Sequence, residues 1–230
     1  MFAKLAHYFS KKSSFEQKLH TVLGYYPQNV ELYRQALTHK SYKKRGGLDN
    51  ERLEFLGDAI LGSVVGEILY QEFPKGNEGF LTQMRSKIVS RKTLNKLALE
   101  IGLSKLVRYH KSAAHRSLYG NALEALVGAL YLDRGQQKSI DFIKEKLIIP
   151  YLDLQKLTKE VVSYKSKVLE WGQQHKTEIF FKVVESSGKD HKKSYKVMLL
   201  IGGVEKTTGE GTSIKRAEEQ AAKKAQPSLA

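Results

Sequence analysis

The hydrophobic period of this chain changes once, near residue 160, and that change restricts it to two different kinds of packing. Before it, apolar residues recur three and four apart through 30–38, 52–73, 79–101, 121–132 and 139–154. Pro27, the 43–48 loop with its Gly-Gly pair, the stretch 74–79, Gly102 and Gly135 interrupt the pattern. This predicts an all-α domain over residues 1–157. After residue 160 a helical stretch at 161–175 gives way to alternation at 179–185, 194–201 and 204–209, the period of half-buried strands. Turn residues at 186–190 and Gly202–Gly203 separate the strands, and Ser213 is placed to cap a last, Ala-rich helix at 214–225. The order α-β-β-β-α predicts a small α+β domain over residues 158–230.

Charge narrows the partner. Lys and Arg total 39 against 24 Asp and Glu, a formal net charge of +15. The excess is shared by both halves, so neither is a mere basic tail. A field of that sign favours a polyanion, and nucleic acid is the commonest one. An anionic membrane surface fits less well, because no strongly amphipathic basic helix stands out. No stretch of 18 apolar residues exists, so no membrane span is expected. With no cysteine, disulfide frameworks and thiolate metal sites are excluded. The N-terminal MFAKLAHYFSKKSS has lysines but no long apolar core, which argues against a secretory signal.

Two segments carry acids where acids are costly. In Asn50–Leu61, NERLEFLGDAIL, Glu51, Glu54 and Asp58 stand at i, i+3 and i+7, within a helical arc of about 60°. The rest of that helix is apolar around most of its circumference, so it reads as buried. In Asn121–Leu130, NALEALVGAL, only Asn121 and Glu124 are polar, three apart on one face. Facing each other, the two helices would form an oxygen-only site of the kind hard divalent cations take. The spacing alone leaves another reading open: structural ion pairs with Arg52, Arg85 or Arg91. Glu51 could equally be a first-turn acid facing the helix dipole, and Asn121 an N-cap after Gly120.

NERLEFLGDAIL resembles the signature motif of the ribonuclease III family, the endonucleases of double-stranded RNA. ALTHKSY at Ala36–Tyr42, GNEGFLT at Gly76–Thr82 and GNALEALVGALYLD at Gly120–Asp133 are similar to its other blocks, in family order. YKSKVLEWGQQ, SGKDHKKSY and GEGTSIKRAEEQAA resemble the double-stranded-RNA-binding domain that follows the nuclease domain in bacterial members. The resemblance implies Mg²⁺-dependent hydrolysis of phosphodiesters to 5′-phosphate and 3′-hydroxyl ends. It further implies processing of ribosomal RNA precursors and other structured RNA by a cytoplasmic homodimer with no small-molecule cofactor.

Matched position by position, Glu54, Asp58 and Glu124 fall on the family's acidic metal-site residues, with Asp58 and Glu124 as the catalytic pair. Asn121 completes the metal set where the family usually has Asp; an amide oxygen can ligate Mg²⁺ but adds no charge. That departure keeps a second class in view, a binding or ribosome-associated protein without cleavage. Glu51 and Glu78 match further acids near the metals or the RNA. Phe55 matches an aromatic that enters the partner subunit, with ordinary core packing as the alternative. Gly57 reads as a close-packing residue, and His39 as a helix-end packing residue or phosphate contact. Lys87, Arg91 and the Lys43–Arg45 cluster are candidate phosphate contacts or a solvated basic face. In the second domain the resemblance sends Ser166, Glu170 and Gln173 into one minor groove, His191 into the next, and Lys215 to the phosphates between. Trp171 reads as core.

Overall fold

The computed structural model describes residues 12–42, 47–113, 117–159, 163–188 and 193–226. The chain divides into two compact units, Met1–Lys159 and Glu160–Ala230. Among the described residues no helix is long and apolar enough to cross a membrane.

The first unit is helical: α1 Ser14–Leu23, α2 Val30–Ala36, α3 Glu51–Glu72, α4 Glu78–Ile88, α5 Arg91–Glu100, α6 Leu118–Phe142, a π-helical stretch Ile143–Ile148, α7 Ile149–Tyr151 and α8 Leu154–Lys159. α1 has no counterpart among the periodic segments of the sequence. Its start is a capping box: the Ser13 hydroxyl accepts from the Glu16 amide, and the Glu16 carboxylate accepts from the Ser13 amide. The single period over 79–101 resolves into α4 and α5, because Ser90 turns extended and its hydroxyl caps Thr93. α6 is one run bent at Gly135, whose φ of 80° breaks the helical path.

α6 is the core of this unit. Ala122, Leu123 and every residue from Ala125 to Leu130 are buried. α3 crosses it at two glycines. A β-carbon on Gly57 would stand 1.7 Å from the Glu124 carbonyl oxygen, and one on Gly128 would stand 2.3 Å from the Leu53 carbonyl oxygen. The backbones therefore touch, and hydrogen is the one side chain that fits. α3 is not buried all round, as its composition suggested. One stripe, including Leu53, Gly57, Leu61, Val65 and Leu69, faces inward. Phe55 is 81% exposed and Tyr70 73% exposed.

Two polar links fix the surrounding elements. The Asp133 carboxylate, its side chain 1% exposed, accepts from the Gln28 and Asn29 amides at 3.1 and 2.7 Å and from the Tyr33 hydroxyl at 3.0 Å. This fastens the start of α2 to α6. The 37–39 segment pairs with Arg108: His39 N–H donates to the Arg108 carbonyl, and Arg108 N–H donates to that of Leu37. The Arg108 guanidinium also donates to the Thr38 hydroxyl at 2.6 Å.

The second unit is α9 Tyr164–Gln174, β1 Ile179–Ser187, β2 Ser194–Ile201, β3 Val204–Gly211 and α10 Ile214–Ala225. The antiparallel sheet has the order β1-β2-β3, with Ile179 opposite Ile201 and Ser187 opposite Ser194. Gly202 and Gly203, at φ 59° and 78°, make the two-residue link that pairs Ile201 with Val204. Positive φ at both positions matches the twist of a tight hairpin. The core joins Val168, Leu199, Ile201, Ala221, Ala222 and Ala225, with Trp171 packed against it. Glu219 on α10 accepts from the Ser163 hydroxyl and the Tyr164 and Lys165 amides, so one helix supplies the cap of the other.

The crossing gives a paired expectation. Gly57→Ala forces the two backbones apart and should cost at least about 2 kcal/mol. Gly66→Ala, on the same helix with nothing near its β-carbon, should stabilise by about 0.5–1 kcal/mol. Urea denaturation of the two variants checks both signs.

Candidate active site

The crossing of α3 and α6 opens a cleft of about 690 Å³. Its lining includes Glu51, Glu54 and Asp58 from α3 and Asn121 and Glu124 from α6, with Lys40 and Arg91 as its cations. The α3 carboxylates reach it because Glu51, Glu54 and Asp58 share one face of that helix. Asn121 and Glu124 reach it because three residues carry α6 through nearly one turn. Asn121 is not an N-cap: α6 begins at Leu118, and the Asn121 amide donates to the Ser117 carbonyl at 2.9 Å.

The arginine-bridge reading fails. Among the described residues, Glu54, Asp58 and Glu124 enter no ion pair within 4 Å. Glu51 does, with the Lys40 ammonium 2.8 Å from its carboxylate at the cleft rim. The Glu124 carboxyl is pushed up to about 7, by burial first and then by the charges of Asp58 and Glu54, with Arg91 opposing. Burial also raises Glu54; a hydrogen bond from the Asn121 side chain pulls it back, and the Glu51 charge adds to the rise. Burial and neighbouring negative charge both favour the protonated forms, and a cation in the cleft would oppose both effects.

An oxygen-only set of three carboxylates and one amide fits a hard divalent cation such as Mg²⁺. The set is not closed, however. Among the described residues no three His, Asp or Glu side chains are already drawn together as a metal cage.

Other candidates are placed differently. Glu78 opens α4, exposed, accepting from the Thr82 hydroxyl, and does not line the cleft. Lys87 donates to the Leu157 carbonyl at 2.6 Å, which makes it a structural link more than a phosphate contact. His39 is buried at the cleft edge with its Nδ1 2.9 Å from the Ser41 hydroxyl, in keeping with a packing role. Phe55 is not core: its ring stands in solvent beside a groove lined by Leu32, Leu53, Leu56 and Leu132 together with Gln35, Glu51 and Arg52. The Lys43–Arg45 cluster and His191 lie outside the described residues. On α9, Ser166, Glu170 and Gln173 are exposed, while Val168 and Gly172 turn to the core. Lys215 is exposed in the first turn of α10, where the Ser213 hydroxyl caps Arg216. Asp133 and the Lys40–Glu51 pair were not singled out from sequence; the ends of the 120–133 and 36–42 motifs were the available signals.

Comparison with known proteins agrees with this architecture. The family model described as Ribonuclease-III-like matches residues 29–151, and the double-stranded RNA binding motif matches residues 164–226. Ribonuclease 3 of Bacteroides fragilis is 46% identical over 226 residues, covering 95% of this chain and 78% of that protein. Ribonuclease 3 of Zunongwangia profunda is 44% identical, covering 94% of this chain and 91% of that protein. The crystal structure of the nuclease domain of ribonuclease III from Campylobacter jejuni superposes with a TM-score of 0.55 at 34% identity, over 61% of this chain and all of that one. A second structure of that domain, described for flexibility in a region involved in dimer formation, gives 0.54 at 36% identity, over 57% of this chain and 94% of that one. The helical nuclease unit followed by an RNA-binding unit defines an endoribonuclease acting on duplex RNA. The chain belongs to the ribonuclease III family.

The raised Glu124 carboxyl sets a pH expectation. A carboxyl whose folded value lies above its unfolded value binds more protons when folded, so it favours folding at low pH. Without divalent cation, stability should fall as pH rises from about 4.5 through about 7. Mg²⁺ should flatten that fall. Denaturation midpoints across this range, with Mg²⁺ and with chelator, check the sign.

Proposed function

We propose that this endoribonuclease cleaves duplex RNA in the α3–α6 cleft with Mg²⁺ held by Glu54, Asp58 and Glu124. The observation that carries the reading is the shared cleft in which, among the described residues, Glu54, Asp58 and Glu124 have no arginine partner within 4 Å, crowded enough to push the Glu124 carboxyl up to about 7. Mg²⁺ there supplies an acidified water and positive charge beside the phosphate. Burial and the Asp58 and Glu54 charges push the Glu124 carboxyl up to about 7, and positive charge in the cleft would favour its ionised form. Glu54 and Asp58, one turn apart on α3, would hold the ion from that helix. Arg91, at the start of α5, offsets negative charge on the far wall and is placed to meet a phosphate oxygen. Lys40 is engaged with Glu51, so the rim stays closer to neutral than its acids alone would make it. The products expected of this chemistry are 5′-phosphate and 3′-hydroxyl ends.

The second unit supplies capture. Ser166, Glu170 and Gln173 form an exposed face suited to 2′-hydroxyls and base edges in the shallow minor groove of A-form RNA. Lys215 and the first amides of α10 suit the phosphates. Structured RNA such as ribosomal RNA precursors, in the cytoplasm, is the substrate and setting we assign. Phe55 is the expected anchor of a homodimer, since an aromatic ring 81% exposed beside a leucine-lined groove is an unpaid cost in a monomer.

Glu124→Gln should slow cleavage of a long duplex by about 10³-fold while leaving its binding unchanged. Near-normal cleavage by that variant, or full activity in chelator, would refute the assignment. Phe55→Ala should weaken self-association by about 30-fold or more, read by analytical ultracentrifugation; an unchanged monomer–dimer equilibrium would remove Phe55 from the interface.

A further inference from the structure

We infer that Asn95 is a positioning residue for the cleft: its side-chain amide joins the first turn of α5 to the first turn of α6, and so fixes Arg91 against the helix that carries Asn121 and Glu124. This deepens the reading of the cleft as the cleavage site, with Arg91 as a phosphate contact, and rests on it.

A helix start leaves its first N–H groups without a helical partner, and the residue just before it usually supplies an oxygen. α6 departs from that rule. Its N-cap is Ser117, whose side chain makes no cap bond. The Gly120 amide, third in the helix, donates instead to Asn95 Oδ1 at 2.9 Å. The cap of α6 therefore comes from another helix, 25 residues earlier in the chain. The nitrogen end of the same side chain is engaged as well: Asn95 Nδ2 donates to the Arg91 carbonyl at 2.8 Å. One planar group, with its donor and acceptor at a fixed separation, thus spans two helix starts.

Both starts belong to the cleft. Arg91 and Leu94 line it from α5, and Gly120, Asn121 and Glu124 line it from α6. The two helices are close here: a β-carbon on Gly120 would stand 3.3 Å from the Leu94 β-carbon and 3.4 Å from the Asn95 backbone nitrogen. The α5 start is also held from the α4 side. The Ser90 hydroxyl accepts from the Thr93 amide, and the Thr93 hydroxyl donates to the Lys87 carbonyl at 2.7 Å. Arg91 therefore has an anchored backbone beneath an exposed side chain that, among the described residues, joins no ion pair within 4 Å. A long cation of that kind samples many positions. Fixing its base before a phosphate arrives removes part of the ordering that binding would otherwise cost. Asn95 itself does not line the cleft, so it acts through Arg91.

The test is a cycle of full-length proteins: wild type, Asn95→Ala, Arg91→Ala and the double variant. Each cuts a long RNA duplex in Mg²⁺ and binds it in chelator over a salt series. Arg91→Ala should lower kcat/KM about tenfold or more, the loss of a hydrogen bond from a charged group. It should also reduce the slope of log affinity against log salt by about one. Asn95→Ala should lower kcat/KM about three- to tenfold, and the double variant should lose no more than Arg91→Ala alone. A merely structural Asn95 would take the same further fold from kcat/KM in both backgrounds, which would overturn the inference. Wild-type kcat/KM in Asn95→Ala would overturn it too. Asn95→Asp keeps an acceptor for Gly120 and loses the donor for Arg91. It should hold the wild-type urea midpoint and still show the loss, and it replaces Asn95→Ala in the cycle if that variant does not fold. Wild-type cleavage and salt slope in Arg91→Ala is a different failure: it would strip Arg91 of its phosphate role, and the inference would fall with that part of the reading.

Discussion

The contact on which the rest depends is the one between the backbones of α3 and α6. Glycine at 57 and 128 lets the helices close to a distance that any side chain would forbid. That approach brings Glu54 and Asp58 of one helix into the same cleft as Asn121 and Glu124 of the other. The glycines do no chemistry, yet they set the distance across which the acids repel one another. Packing and electrostatics are thus one problem here. The buried aliphatic stripe of α3 and the nearly all-apolar α6 supply the cohesion that holds like charges together.

That crowding explains why burial and charge act in the same direction on Glu124. Partial loss of water and two neighbouring carboxylates each disfavour its ionised form, and Arg91 opposes them only in part. Positive charge in the cleft would relieve both effects. A polyanionic substrate alone would add to that repulsion, which is the physical ground for the cation proposed above. The net charge of +15 works at longer range, drawing RNA to the surface, and does not neutralise the local deficit.

Much of this was legible in the sequence because it rests on spacing. The shared face of the i, i+3, i+7 acids of 51–58 and of the Asn121–Glu124 pair follows from helical geometry, and the three strands of the second unit follow from its period of two. What was not legible depends on tertiary neighbours. Exposure of Phe55 cannot be read from a helix apolar on most sides, since only packing decides which stripe turns inward. Asn121 reads as a cap until the helix is seen to begin earlier, at Leu118. Lys87 reads as a surface cation until the Leu157 carbonyl, 70 residues on, is found beside it. The capping box of α1 was visible as Ser13 and Glu16, but its short helix lacks a long periodic run to announce it.

Asp133 has a consequence for how the molecule breathes. One carboxylate, its side chain 1% exposed, serves three donors at the entrance to α2 and stands 3.5 Å from the Arg134 guanidinium, so the start of α2 is tied to α6 at several points at once. The entrance to α2 should then open only when that end of the central helix also opens. The amides of Gln28 and Asn29, though on the surface, would then exchange their hydrogens as slowly as that end of α6.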